Sequence, residues 1–448
     1  MNCNDSFVNS LLIVKLSDSF LTLYLQMEQI KVAIIGGGAA GFFAAIHVKE
    51  NFPNATVEIL EKSQKVLSKV KVSGGGRCNV TNACESISQL SKAYPRGGKQ
   101  LKKLFPLFNT KHTRDWFEKR GVPLVVQEDQ CIFPKSQDSQ TIIDCFLTET
   151  TRLGIEIKTG FQITKIKPIT QGFELKTRAE ETVIFDNVII ATGGSPKLSG
   201  LQWLKELGHK IITPVPSLFT FNMPDEPVKK LMGVVVEETI TKIKGTNFTA
   251  NGPLLITHWG MSGPAVLVLS AFGARYLSEA SYTFEIQVNW VNEMNQELVS
   301  EELQKLAIEH ENKQLQSIRP YYIPTRLWHF LLEKTGLSLE RKWSELGKKG
   351  INKLQNILTN DSYSVRSKTT FKEEFVTCGG VSLESVNMKT MESKVCPGLF
   401  FAGEVLDIDA ITGGYNFQGA WTTGFIAGKL GGNRKVRGEG TKSAKVKT

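Results

Sequence analysis

The chain of 448 residues carries a formal net charge of +10, with 41% hydrophobic and 22% charged residues, a globular composition long enough for two or three domains. No run reaches the roughly 18 apolar residues that span a bilayer, so a helical membrane protein is excluded. Seven cysteines, Cys3, Cys78, Cys84, Cys131, Cys145, Cys378 and Cys396, form no CxxC pair, no metal-binding spacing and no even framework, which points to free thiols in a reducing cytoplasm.

Residues 1–27 read as an N-terminal extension. Leu11 to Val14 is apolar but is broken by Lys15 and Asp18, without the basic start or small-residue cleavage site of a signal peptide. Met27 stands three residues before Ile30, where the first strand approaches, and is expected to be the physiological start.

Residues 31–62 spell strand, glycine turn, helix, strand and terminal acid, the signature of a dinucleotide-binding βαβ unit. Gly36, Gly38 and Gly41 form G-x-G-x-x-G. The first permits the tight turn, the second lets the backbone approach a pyrophosphate, and the third allows close helix packing, while the helix N-terminus offers N–H groups to the anion. Glu61 follows 20 residues after Gly41. It is placed to accept from ribose hydroxyls with Lys62 beside it, and its charge disfavours a 2′-phosphate.

A second glycine cluster, Gly74-Gly75-Gly76-Arg77, begins a loop that continues through Cys78 and Asn79 to Thr81 and Asn82. Its backbone can bend sharply around a ligand, and Arg77 supplies a fixed cation. Cys78 reads either as a thiol beside a redox centre or as a small buried residue. From Arg96 to Arg120 eight Lys and Arg meet only Asp115 and Glu118. Interleaved Leu101, Leu104, Phe105, Phe108, Trp116 and Phe117 predict one or two amphipathic helices, whose outer face is either merely solvated or meets a polyanion such as RNA.

Alternating strands at 173–177 and 182–190 lead into Ala191-Thr192-Gly193-Gly194, a second contact expected when the ligand is FAD rather than NAD. A third contact is expected from 396–428, where a short strand ends at Ala402. Gly403, Glu404, Asp407 and Asp409 then follow, before a helix starting near Asn416 that aims its positive end at the ring. With cofactor contacts at both ends, the FAD-binding domain is discontinuous, 28–195 and 366–431. Residues 196–291 with 363–365 predict a β-rich insertion, a small barrel, and 292–362 a helical subdomain. Residues 432–448 form a basic tail, six Lys and Arg against one Glu, expected to be disordered.

The blocks SGGGRCNVTN at 73–82, ATGG at 191–194, THWGMSGPAVLVLS at 257–270, TCGGVSLESVNMKTMESKVCPGLFFAGEVLD at 377–407 and TGGYNFQGAWTTG at 412–424 resemble a family of FAD-dependent oxidoreductases. It includes aminoacetone oxidase-like, 3-dehydro-bile-acid reductase-like and ribosomal RNA dihydrouridine synthase flavoproteins, and the resemblance covers roughly Ile30 to Gly431. It implies an α/β fold with a Rossmann-type FAD-binding domain, and FAD held at Gly36, Gly38, Gly41, Glu61, the Gly74–Asn79 loop, Thr192, Gly193, Gly403, Glu404 and the Gly414–Gln418 helix start. One departure is that Ser195-Pro196-Lys197-Leu198 runs quickly to Trp203, where many relatives carry a longer segment.

FAD supplies hydride chemistry at its N5, and the protein must orient substrate and supply a proton. No second Rossmann fingerprint is present, so NAD(P)H as reductant would dock transiently. The reductions associated with the family add hydride to a carbon–carbon double bond conjugated with a carbonyl. Cys78, Tyr415 and His258 are the candidate proton donors. Uridine in ribosomal RNA, favoured by the basic balance, is the expected substrate. The alternatives are a small-molecule enone reductase or amine oxidase, and a non-enzymatic FAD-stabilised scaffold.

Overall fold

The computed structural model describes residues 30–369 and 376–432. The expected Met27 start, Cys3 and the basic tail beyond Gly432 lie outside the described residues.

Five short strands form a parallel sheet: β1 (Lys31–Ile35), β2 (Thr56–Glu61), β3 (Glu156–Thr159), β4 (Asn187–Ile190) and β5 (Leu399–Phe401). Their spatial order is β5-β4-β1-β2-β3, extended beyond β5 by antiparallel Glu392–Ser393 and Val386–Asn387. Ile35 pairs with Ile190 and with Leu60, and Ile190 with Phe401, so the central strands end at one level. β1 and β4 are almost wholly buried, as expected of strands covered on both faces.

The glycine turn after β1 leads into α1 (Ala39–Asn51), buried along nearly its whole first half. After β2 comes α2 (Ser68–Gly76), whose helical geometry breaks at Ser73, Gly74 and Gly75. Near the C-terminus, α3 (Tyr415–Ala427) packs along α1. Gly424 permits this, since a Cβ there would stand 3.0 Å from the Ala40 carbonyl oxygen. Between them lies an aromatic cluster of Phe43, Trp116, Phe146 and Trp421. The predicted amphipathic pattern of 96–120 is realised with Leu101, Leu104, Phe105, Phe108, Trp116 and Phe117 all buried in this core.

A second core gathers Phe219 to Val365. Its seven-stranded sheet runs 361–365, 284–289, 235–243, 249–256, 260–262, 220–222, 367–369. The two outermost strands are halves of one run separated only by Arg366, so this sheet curls until its edges meet in a single stretch of chain. Helices Gln296–Glu309, Thr325–Thr335 and Gly347–Thr359 pack beside it. The two cores are joined by a separate antiparallel pair, Ile211–Ser217 with Val376–Val381. Leu201 and Leu204, beyond the expected boundary at 195, pack into the first core. No described helix is long and apolar enough to cross a membrane.

Candidate flavin site

A cavity of about 580 Å³ runs along the carboxyl ends of β2, β1, β4 and β5 and reaches the second core, where open α/β sheets place their ligands. From β2 to β5 is three strand spacings, roughly 14 Å, so one end is set by Glu61 and the other by Gly403 and the inserted unit.

Gly36 turns at φ +115°, and a Cβ there would meet the Ala191 carbonyl oxygen at 2.3 Å. Gly41 is equally constrained, with a Cβ 2.0 Å from the Gly36 oxygen. Gly41 therefore serves helix packing and does not line the cavity. Gly38 differs: a Cβ there would meet nothing within 4 Å, which is the open approach that a pyrophosphate requires. No side chain caps the N-terminus of α1 at Gly38 or of α3 at Gly414, so backbone N–H groups of both helices remain available to an anionic or carbonyl-bearing ligand.

Glu61 ends β2 with its carboxylate accepting from Gly37 N–H and Ser63 N–H, each at 2.8 Å. Glu404 is held on the opposite wall, accepting from Thr377 N–H at 2.8 Å and from Lys69 Nζ at 2.8 Å. Asn79, with its amide turned to satisfy both ends, donates to Thr81 O at 2.8 Å and accepts from Gly414 N–H at 3.0 Å. It thereby ties the second glycine loop to the start of α3.

Of the residues expected from sequence, Gly36, Gly38, Glu61, Lys62, Gly74, Asn79, Thr192, Gly193, Gly403, Glu404, Gly414 and Asn416 line this one cavity. Others do not. Gly75 and Gly76 continue the left-handed turn begun by Gly74, with φ of +69° and +84°, away from the wall. Arg77 lies over the Phe133 ring at 4.2 Å and donates to Gly74 O and to Gln137 Oε1, so it braces the loop instead of facing the ligand. Asp407 holds Arg275 at 2.7 and 2.8 Å. Gln418 is fully buried, its Oε1 accepting from Thr81 and Thr113 hydroxyls.

The three proposed proton donors are not brought together, and none lines the cavity. Cys78 is buried, and burial pushes its thiol up to about 12. Tyr415 faces away and burial likewise raises its phenol to about 12, whereas its carbonyl accepts from Tyr94 OH at 2.6 Å. His258 is exposed on a loop of the inserted unit, its ring centroid 4.4 Å from that of Trp259.

At the β5 end sequence reasoning reached Phe417, inside the Gly414–Gln418 helix start, but not the rest of the wall. Tyr94, Leu218, Ser262, Leu267, Ile408, Ile411, Thr412 and Phe417 line this end, mixing apolar surface with three hydroxyls. Burial holds the Tyr94 phenol well above its usual value. FAD fits these residues: Glu61 suits ribose, the Gly36–Gly38 turn a pyrophosphate, and the start of α3 a ring carbonyl.

A family model described as the HI0933-like protein Rossmann domain matches residues 30–430. The chain is 28% identical over 416 residues to the 3-dehydro-bile acid delta(4,6)-reductase of Clostridium scindens, covering 90% of this chain and 99% of that protein. It is 29% identical over 411 residues to the ribosomal RNA dihydrouridine synthase of Escherichia coli strain K12, covering 89% and 96%. The 3-ketosteroid-delta4-(5alpha)-dehydrogenase structure from Rhodococcus jostii RHA1 aligns with a TM-score of 0.46 at 11% identity, over 90% of this chain and 98% of that one. The chain belongs to the HI0933-like family, whose model spans nearly all of it, and is an FAD-dependent oxidoreductase.

Proposed function

We propose that the protein reduces a carbon–carbon double bond conjugated with a carbonyl, and that its substrate is uridine within ribosomal RNA. Bound FAD supplies the hydride, which adds to the carbon β to the carbonyl, while a proton adds to the α carbon and completes the saturation. The reducing equivalents would come from NAD(P)H docking transiently. The residues lining the Glu61 end hold adenosine and pyrophosphate. At the far end Leu218, Leu267, Ile408 and Phe417 exclude water from a planar substrate, and the hydroxyls of Ser262 and Thr412 relay the proton.

The observation that favours RNA is the surface of 96–120. Arg96 and Arg120 are spent in ion pairs with Asp409, Glu50 and Glu149, but Lys99, Lys102, Lys103, Lys111 and Lys119 are exposed above an apolar underside. Such a face gains affinity for phosphates by counterion release. The E. coli relative is named for the same modification. Nucleoside mass spectrometry of ribosomal RNA from a deletion strain tests the proposal: loss of dihydrouridine, restored by the intact gene, supports it, and an unchanged dihydrouridine content overturns it.

The apolar far end favours a second reading, a small-molecule enone reductase, in keeping with the name of the C. scindens relative. Turnover of a steroid 4-en-3-one without RNA binding at low salt would select it.

A further inference from the structure

Arg96 does not line the flavin cavity, yet it is bonded to residues that adjoin both the Rossmann and the inserted walls of the cavity's far end. Its Nε donates to Asp409 Oδ1 at 2.5 Å and a terminal N–H donates to Asp409 Oδ2. The second terminal nitrogen donates to the Ala271 carbonyl, and Ser217 Oγ sits 3.3 Å from the first. Ser217 in turn donates to Asp409 Oδ2 at 2.8 Å. The guanidinium is 10% exposed and the carboxylate 0%.

Each partner adjoins a lining residue. Asp409 follows Ile408, Ser217 precedes Leu218, Ala271 lies one helical turn after Leu267, and Arg96 itself is two residues from Tyr94. Leu218 and Leu267 belong to the inserted unit, whereas Tyr94 and Ile408 belong to the Rossmann unit. One planar, five-donor cation thus fixes the separation of two walls built from different cores.

Desolvating such a pair costs nearly as much as the attraction returns, so it is poor stabilisation but a sharp specifier of geometry. We infer that Arg96 is a positioning residue: held by Asp409, it clamps the inserted wall against the Rossmann wall and so sets the width of the slot that receives the planar conjugated substrate. This rests on the reduction proposed above for what occupies the slot, but the clamp itself is defined by the protein alone.

The test uses the holoenzyme with Arg96→Lys, which keeps the charge and loses the fork, and with Ser217→Ala, which removes a single bridging hydroxyl. The first readout needs no substrate: acrylamide quenching of bound-FAD fluorescence. Arg96→Lys is expected to raise the quenching constant about 3-fold or more, as the freed wall admits the probe, with FAD stoichiometry unchanged. The second is the rate at which photoreduced flavin is reoxidised by a uridine-containing ribosomal RNA transcript, and separately by a steroid 4-en-3-one.

For the probe that the wild type reduces, the rate per bound flavin at saturation should fall about 100-fold in Arg96→Lys, as for a misplacement near 1 Å, with KM changed by less than about 3-fold. Ser217→Ala should fall in the same direction by a smaller factor, and it carries the test alone if Arg96→Lys does not fold. A merely structural clip would lower the melting temperature and leave each remaining holoenzyme molecule with wild-type quenching and wild-type turnover. That result overturns the inference. Wild-type failure with both probes would instead sink the proposed reaction, while the quenching comparison still decides the clamp.

Discussion

The Glu61 carboxylate, at the end of β2, accepts the Gly37 N–H at 2.8 Å and so holds the glycine turn at the end of β1. One side chain is thereby committed both to the shape of the turn and to whatever ribose it meets.

Glu61→Ala should therefore weaken FAD binding by about 10- to 100-fold, since a hydrogen bond to a charged group contributes about 1.5–3 kcal/mol. It should also lower the melting temperature of the apoprotein through the freed Gly37 and Ser63 amides. Glu61→Gln, which keeps an acceptor, should fall between. Equilibrium dialysis with FAD and apoprotein melting check this; an altered flavin reduction potential with normal affinity would place Glu61 at the wrong end.

Gly38→Val and Gly41→Ala should separate binding from folding. Gly38 has φ −95° and ψ −172° and open space at its Cβ position, so valine should leave the apoprotein folded but occlude the pyrophosphate, with FAD lost on desalting. Alanine at 41 drives a methyl against the Gly36 carbonyl oxygen and should cost about 1–3 kcal/mol of stability. Circular dichroism melts paired with flavin absorbance distinguish the two, and full FAD occupancy in Gly38→Val would falsify the assignment of the turn.

His47 is buried in the aromatic cluster between Phe43 and Phe425, and burial lowers its imidazole from 6.5 to about 4. A folded value below the unfolded one means that its contribution is present above pH 6.5 and is lost as pH falls toward 4. The wild type should lose up to about 3 kcal/mol more than His47→Phe between pH 7 and pH 4. Chemical denaturation at both pH values measures this, and parallel losses in the two proteins would contradict it.

Cys78 should be silent in catalysis. With its thiol buried and pushed up to about 12, it should resist iodoacetamide at pH 8 in the folded protein and react only after unfolding. Cys78→Ala should keep turnover within about 2-fold, whereas loss of a working general acid costs roughly 100-fold or more. A 100-fold fall with intact FAD content would return the thiol to the chemistry.

RNA binding should depend steeply on salt. Replacing Lys99, Lys102 and Lys103 by alanine should flatten the slope of log affinity against log salt by about 2 if all three meet single-stranded phosphates, at roughly 0.7 each. Fluorescence anisotropy with a ribosomal RNA fragment gives the slope. An unchanged slope would move the contact elsewhere.

The adenosine half of the site was legible because it is local: strand, turn, helix, strand and acid follow one another from Lys31 to Glu61, each with its own signal. The rest depends on pairings across the whole sequence. Arg96 read as part of a basic surface because Asp409 is 313 residues away. Gln418 read as an FAD contact because it lies in the Gly414–Gln418 block. On α3, however, Asn416, Ala420 and Thr423 share the cavity face, and Gln418 turns inward to donate to Thr422. Cys78 sat in a suggestive motif, but burial is decided by what packs over it. Leu218 carries no motif and Leu267 sits in the 257–270 block without a polar group to mark it, so both are ordinary apolar residues whose task is set by the approach of a second core.

The packing of α3 on α1 has a consequence for biosynthesis. Trp421 donates its indole N–H to Val80 O at 2.9 Å and fills the aromatic cluster above Phe43, so neither the core nor the cofactor cavity is whole until α3 has left the translating machinery. A nascent chain holds the glycine turn early but cannot close around FAD, and it carries Phe43 and Phe146 uncovered until α3 emerges. Loading of the cofactor therefore waits for α3. A chain cut short before α3 should be a client of chaperones instead of a yellow protein.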